Sequence, residues 1–194
     1  MKMKGVLVTV STAALFAVLS GAAISAKQSP TQNHDKYSVK IPGGLAFSEF
    51  RGYEKWQVIA VSQNQTVISA ILGNPEIIKA FESGIPGNGK PFPDGSKMAK
   101  IHWNARRAES ETGQPLVPDT LKDVEFMVKD NKRFADSESR GWGFGDFRYE
   151  LASGTFRPGN AQDKPPSAND ARCGSACHVA AQKTDYVFTQ YPIR

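Results

Sequence analysis

The sequence predicts a single α+β domain, built mainly on an antiparallel β-sheet with a few short helices. β-type apolar runs bounded by turn residues recur along the chain, whereas helical periodicity is confined to a few short stretches. Strands that follow one another with few helices between them are typical of antiparallel sheets. Apolar residues make up 40% of the chain and charged residues 22%, which is ordinary for a soluble globular protein.

The first residues are typical of a secretory signal peptide. Lys2 and Lys4 precede an apolar run over 6–19, and small residues follow as far as Ala26. A membrane span needs about 20 apolar residues, so this short run favours cleavage near Ala26 over an uncleaved anchor. We therefore expect export to the periplasm. The predicted organisation is a signal peptide over 1–26, a flexible N-terminal segment over 27–44 and a domain over 45–194.

The charge of the chain gives no indication of a nucleic-acid partner. Removal of Lys2 and Lys4 lowers the formal net charge from +5 to +3, because 22 basic residues then face 19 acidic ones. The excess is small and forms no basic stripe. Solubility explains it, and docking to an acidic redox partner is compatible with it.

The first half of the domain predicts a β-hairpin followed by a helix. The segments 56–61 and 66–72 are rich in β-branched and apolar residues, and a polar turn separates them. Asn74 is a helix-capping residue, Pro75 suits the first helical position, and Glu76 suits the positive end of the helix dipole. The helix is expected to end before Gly84.

Further strands are predicted in the second half. They cover 96–103, 124–128, 141–150 and 184–191; loops are expected over 104–119 and 154–170, and a short helix near 179–183. In the strand 141–150, Trp142 and Phe144 alternate, but Phe147 and Tyr149 have the opposite parity. A β-bulge near Gly145 would bring all four aromatic rings to one face.

The most informative motif lies near the C-terminus, where Cys173, Cys177 and His178 fall within six residues. Two thiols followed at once by a histidine are typical of covalent haem attachment, in which the thiols bond to the haem vinyl groups and the imidazole binds the iron. Three residues separate the cysteines instead of the usual two. The alternatives are one disulfide or a zinc half-site, but a zinc site lacks a credible fourth ligand. The pattern favours haem c, with His178 as the axial ligand of the iron.

The segment 173–191 resembles the cytochrome P460 family, in which such a motif is followed by a segment like the Thr184-Asp185-Tyr186-Val187-Phe188-Thr189 of this chain. The turn 92–95 and the run 141–144 are also similar to that family. The resemblance implies a β-rich, homodimeric, periplasmic haem protein with five-coordinate iron and a small nitrogen species as ligand or substrate. Members of P460 type oxidise hydroxylamine and carry a lysine bonded to the haem. Related β-sheet cytochromes c′ bind nitric oxide or carbon monoxide without that bond.

The resemblance places the crosslinking lysine in the strand after the turn 92–95. Lys100 is the first candidate and Lys97 the second, since Lys97 lies closer to the turn. The simpler interpretation of Lys100 is a strand lysine with its ammonium group in water. The lysine therefore decides between a hydroxylamine oxidoreductase and a gas-binding protein.

A sixth protein ligand to the iron would instead favour electron transfer alone. Met98, His102 and Met127 are the candidates, although methionines and histidines on strands more often pack or form hydrogen bonds. His34 lies in the polar N-terminal segment and is expected to be solvated. The family's distal residue comes from the region just before the motif, where Asn169, Asp170 and Arg172 lie, but the extra motif residue leaves its position unassigned.

Overall fold

The computed structural model describes residues 35–163 and 174–193. A six-stranded antiparallel sheet in the order β1-β2-β3-β4-β5-β6 dominates the fold, which confirms the predicted α+β class. The strands are β1 (Gln57–Asn64), β2 (Val67–Gly73), β3 (Lys97–Arg107), β4 (Leu116–Lys129), β5 (Trp142–Glu150) and β6 (Thr155–Pro158). The helices are α1 (Pro75–Glu82) and the one-turn α2 (Ser175–His178), with 3₁₀ helices at Lys36–Ser38, Phe47–Phe50, Tyr53–Lys55 and Val179–Thr184. The predicted signal peptide, His34, Asn169, Asp170, Arg172 and Cys173 lie outside the described residues.

Local sequence explains the first elements. The β1–β2 hairpin turns at Gln65, whose φ is +48°. Helix α1 begins as predicted, because the Asn74 side chain accepts a hydrogen bond from the backbone N–H of Ile77 at 3.2 Å. Asn74 also accepts from the N–H of Lys97, so the helix start is tied to the start of β3.

The sheet is covered on both sides, which gives the domain two hydrophobic clusters. The first face carries Ala99 and Phe126, and the N-terminal 3₁₀ helices cover it; Phe50 stacks on Phe126 with ring centroids 4.0 Å apart. The second face carries Met98 and Met127, and it is covered by α1 and the C-terminal segment. Successive residues of each strand therefore enter different clusters.

The two-sided burial explains why the predicted bulge at Gly145 is wrong. Strands β4 and β5 pair without a register shift from Asp123 opposite Arg148 to Lys129 opposite Trp142. Phe144 therefore packs on the second face and Phe147 on the first. The aromatic residues of β5 lie on opposite faces because both faces of the sheet are covered, so no bulge is needed to bury them.

Strands β3 and β4 extend into the predicted loop 104–119. Their pairing shifts register after His102 and again after Trp103, and it then continues through Pro118 to Leu116. Irregular pairing of this kind accommodates a proline that has no N–H to donate. The proline and glycine residues that predicted a loop thus mark a distorted, more exposed end of a long hairpin.

The structure also differs from the prediction near both ends of the described chain, in the segment predicted to be flexible and in the predicted last strand. Ile41 is only 1% exposed, and the bridge between Lys40 and Ala46 packs part of the predicted flexible segment against the core. The predicted last strand, 184–191, is absent; that segment makes no sheet pairing. Side-chain hydrogen bonds satisfy some of its backbone groups instead, as when Thr184 Oγ1 donates to the Val187 carbonyl at 2.7 Å. Within 35–163 and 174–193, no helix has the length and apolar character needed to cross a bilayer.

Candidate haem-binding cavity

A cavity of about 310 Å³ lies between the second face of the sheet and the C-terminal segment. Its sheet wall consists of neighbouring residues on β3, β4 and β5, and its outer wall comes from α2 and residues 187–189. Its residues are Ile71, Met98, Lys100, Glu125, Phe126, Met127, Phe144, Gly145, Asp146, Arg148, Gly174, Cys177, His178, Val187, Phe188 and Thr189. Most of this wall is apolar, and a few polar groups converge on it, as in typical ligand sites.

His178 ends helix α2 and lies at the cavity with one ring nitrogen already committed. Its Nδ1 lies 2.6 Å from the backbone carbonyl of Tyr186. A carbonyl only accepts, so Nδ1 carries the proton and Nε2 keeps its lone pair. The ring packs between Phe144 and Phe188, with centroid distances of 4.5 and 5.1 Å. Metal-bound histidines commonly have this arrangement, with one nitrogen donating to a carbonyl and the other free for the metal.

The surroundings of His178 favour its neutral form. Burial lowers the pKa of His178; the hydrogen bond to the Tyr186 carbonyl and the Glu125 carboxylate oppose this, and the Lys100 charge adds a small further lowering. Neutral imidazole is the form that binds a metal. The direction of this shift is compatible with the predicted role of His178 as an axial ligand.

Cys177 lies on the same helical turn and lines the same cavity, with its side chain exposed. Gly174 begins this turn close to the sheet. A Cβ atom at Gly174 would lie 2.4 Å from the Cγ of Phe144, so a side chain there would push the motif away from β5. Glycine at this position therefore allows the motif to approach the sheet closely.

The two lysine candidates lie on opposite faces of β3. Lys100 lines the cavity, opposite Ile71 on β2 and Glu125 on β4. Lys97 lies on the first face, where its Nζ donates to the Glu49 carbonyl at 2.7 Å and lies 5.5 Å from the centre of the Phe50 ring. Of the two, Lys100 alone faces the cavity that holds Cys177 and His178.

The candidates for a sixth ligand are also separated. Met98 and Met127 are buried and line the cavity. His102 is buried too, but its Nδ1 contacts Asp123 and its side chain is not among those that line the cavity. Its position matches the expectation of a structural, hydrogen-bonded histidine.

The sequence did not single out Glu125, which lies directly across from Lys100 and lines the cavity. Among the described residues, neither the Glu125 carboxylate nor the Lys100 ammonium has a hydrogen bond or an ion pair with another side chain. A charged residue between Val124 and Phe126, in the predicted strand 124–128 that is otherwise apolar, is the signal that could have found it.

A buried polar row borders the cavity one residue pair further along the strands. It runs across the sheet from His102 through Asp123 to Arg148, and Arg148 donates to Asp123 at 2.9 Å. Arg148 Nε also lies 2.9 Å from Asp146, which lines the cavity. Burial by itself would raise the pKa of Asp123, but the hydrogen bond with His102 and the charges of Arg148 and Lys122 outweigh it and hold that pKa below its usual range.

Two residues of this row, His102 and Asp123, form with Glu125 the one trio of described residues that could hold a metal ion. Both oxygens of Asp123 are already engaged, one with His102 and the other with Arg148. His102 and Asp123 are therefore better described as part of a hydrogen-bonded network than as ligands of a second metal centre.

The cavity suits a haem. The sheet wall offers Met98, Met127 and Phe144 as apolar packing, and the outer wall offers a thiol and an imidazole with a free Nε2. These are the two donor types that covalent attachment and iron ligation require. An apolar surface of this kind, with a ligand at one side, matches a flat apolar macrocycle.

The comparisons with known proteins agree with this chemistry. The family model for cytochrome P460 matches residues 50–189, most of the chain. No curated protein matches it. The matched range contains the whole sheet, the cavity wall and His178, and the chain therefore belongs to the cytochrome P460 family of haem-binding c-type cytochromes.

Proposed function

We propose that this chain carries haem c through Cys173 and Cys177, with His178 as the axial ligand, and that it oxidises hydroxylamine in the periplasm. The observation that carries the proposal is Lys100. It lines the cavity that contains Cys177 and His178, and it has no competing hydrogen bond among the described residues. A lysine bonded to the haem is what separates the hydroxylamine-oxidising members of the family from the gas binders.

The motif spacing is compatible with attachment. The residues between the cysteines are Gly174, Ser175 and Ala176, all small, so one of them can loop out while both thiols reach the haem. Formation of the lysine bond replaces one N–H and one C–H bond by an N–C bond. It therefore requires a free amine and an oxidant that takes two electrons, such as a peroxide.

Bound haem would supply the iron site for the substrate and the one-electron redox steps. The chain supplies the rest. His178 would hold the iron, and Lys100 would fix the macrocycle. Glu125 is the carboxylate available to accept protons, since Asp146 is paired with Arg148. Conversion of hydroxylamine to nitric oxide releases three protons and three electrons, and conversion of two hydroxylamine molecules to nitrous oxide and water releases four of each. The electrons pass to a periplasmic redox partner.

The mass of the haem peptide tests the proposal directly. After proteolysis, the peptide that contains Cys173–His178 should carry both the haem and the peptide that contains Lys100. Lys100→Met should abolish that link, and Lys97→Met is the matched control on the same strand. A haem peptide free of lysine in the wild-type protein would refute the crosslink. Turnover of hydroxylamine with an artificial electron acceptor then tests the reaction itself.

A second candidate function is the binding of nitric oxide or carbon monoxide without catalysis. The apolar side chains of Met98, Met127 and Phe144 at the cavity favour it, because they suit an uncharged diatomic ligand. A ferrous spectrum of five-coordinate type, together with a lysine-free haem peptide and no hydroxylamine turnover, would select this function. A six-coordinate spectrum without added ligand would instead favour electron transfer alone. Light scattering tests the homodimer that the family resemblance implies.

A further inference from the structure

A buried ion pair between Lys129 and Asp185 connects the C-terminal segment to the sheet. The Nζ of Lys129, the last residue of β4, lies 2.9 Å from Asp185 Oδ1 and 3.1 Å from Oδ2. The Lys129 side chain is 2% exposed and that of Asp185 is 11% exposed. Lysine is seldom buried to this extent unless it is paired, so the pair is a specific feature of the fold.

Each member of the pair has further partners that fix its position. Lys129 Nζ also donates to the Arg140 carbonyl at 2.9 Å and lies 5.2 Å from the centre of the Trp142 ring. Asp185 Oδ2 accepts a hydrogen bond from the backbone N–H of Phe92 at 2.8 Å. The carboxylate of Asp185 is therefore held from two sides, by β4 and by the loop before β3.

Asp185 in turn fixes the backbone that contacts His178. Asp185 and Tyr186 both have left-handed φ values, +48° and +65°, and neither is glycine. A left-handed φ is strained for any residue with a Cβ atom, so consecutive ones persist only where other contacts hold them. The Tyr186 carbonyl, which follows directly, accepts the hydrogen bond from His178 Nδ1.

We propose that Lys129 and Asp185 are positioning residues for the axial histidine. The pair holds the left-handed turn, the turn aims the Tyr186 carbonyl at His178, and the resulting hydrogen bond sets the ring orientation and the electron donation of Nε2 to iron. A hydrogen bond from the outer nitrogen of a metal-bound histidine raises the basicity of that ligand. The proposal rests on His178 as iron ligand, which is part of the proposed function, and is independent of hydroxylamine oxidation.

Resonance Raman spectroscopy of the ferrous holoprotein tests the proposal without any substrate. Asp185→Asn keeps the side-chain volume, the tolerance for a left-handed φ and an acceptor for Phe92, but it removes the charge that Lys129 meets. Lys129→Met removes the other charge at similar length. Both variants should shift the iron–histidine stretching frequency downward and the haem reduction potential upward. The double variant should show no larger shift than the single ones, because the two residues act as one unit.

Arg133→Met is the control, since it breaks the 2.7 Å ion pair with Glu49 away from the cavity. It should leave the iron–histidine frequency and the potential unchanged. The proposal is wrong if the Lys129 and Asp185 variants lose thermal stability but keep the wild-type frequency and potential, since the pair is then merely structural. If Lys129→Met does not fold, the milder Asp185→Asn decides alone. A failure of hydroxylamine turnover with the shifts present would refute the proposed reaction and leave the positioning role intact.

Discussion

Removal of the Asp123 charge should destabilise the protein strongly at neutral pH. The Asp123 side chain is 1% exposed, and Arg148, whose side chain is 8% exposed, lies 2.9 Å from it. Loss of one partner of a buried ion pair costs about 3–5 kcal/mol. Arg148 keeps Asp146 as a second partner, so we expect the lower end for Asp123→Asn, about 3 kcal/mol.

Urea and thermal denaturation at pH 7 measure this loss. A loss of about 3 kcal/mol corresponds to a fall in melting temperature of about 6–12 °C for a domain of this size. Asp119→Asn is the matched control on the same strand, since its contact with Arg106 is 3.5 Å long and exposed to solvent. Exposed pairs of this kind contribute about 0–1 kcal/mol.

The dependence on pH gives a second, independent check. The folded-state pKa of Asp123 is lowered, so the ionised carboxylate stabilises the fold above its unfolded pKa of about 3.9. That stabilisation is lost as the pH falls through the folded pKa. The difference in free energy of unfolding between wild type and Asp123→Asn should therefore be constant from pH 7 to about pH 5 and shrink below about pH 4. A small loss equal to that of Asp119→Asn, or a difference that stays constant in acid, would refute the reasoning.

Three further predictions concern the cavity and the fold. Glu125→Gln should lower hydroxylamine oxidation by about 100-fold or more while the haem spectrum is unchanged, because the proton acceptor is lost; stopped-flow assays measure it. Gly174→Ala should lower the haem content of the purified protein, because the new Cβ would meet Phe144 at 2.4 Å; the ratio of haem to protein absorbance measures it. Asn74→Ala should cost about 1–2 kcal/mol in urea denaturation, because Ile77 loses its cap.

Each of these has an outcome that contradicts it. Full activity of the Glu125 variant would place the proton acceptor elsewhere. Normal haem content in the Gly174 variant would show that the motif can move away from Phe144. A wild-type urea midpoint for the Asn74 variant would mean that the start of α1 is stabilised by packing alone.

Sequence patterns were sufficient where the signal is local. The hairpin at Gln65 and the cap at Asn74 follow from turn and helix-start residues within a few positions. Sequence patterns failed where the contacting residues are far apart in the chain. The segment 184–191 has β-forming residues, but Asp185 and Tyr186 adopt left-handed φ values because Lys129 and Phe92 hold them there.

The site shows the same division. The motif Cys173-Gly174-Ser175-Ala176-Cys177-His178 predicted a haem site because attachment and ligation depend on residues next to one another. Lys97 and Lys100 lie on opposite faces of β3, as the alternation of side chains along a strand requires. The sequence did not tell which face carries the cavity, because both faces are buried and both have apolar side chains.

The tertiary structure determines which face of the sheet carries the cavity. The N-terminal 3₁₀ helices cover one face, so Lys97 meets Glu49; the C-terminal segment covers the other, so Lys100 meets the cavity that contains His178. The register of β3 and β4 then places Glu125 opposite Lys100. The sequence by itself determined the chemistry of the haem motif, since neighbouring residues supply it. Only the tertiary structure decided which charged side chains share that site, because segments far apart in the chain cover the two faces of the sheet.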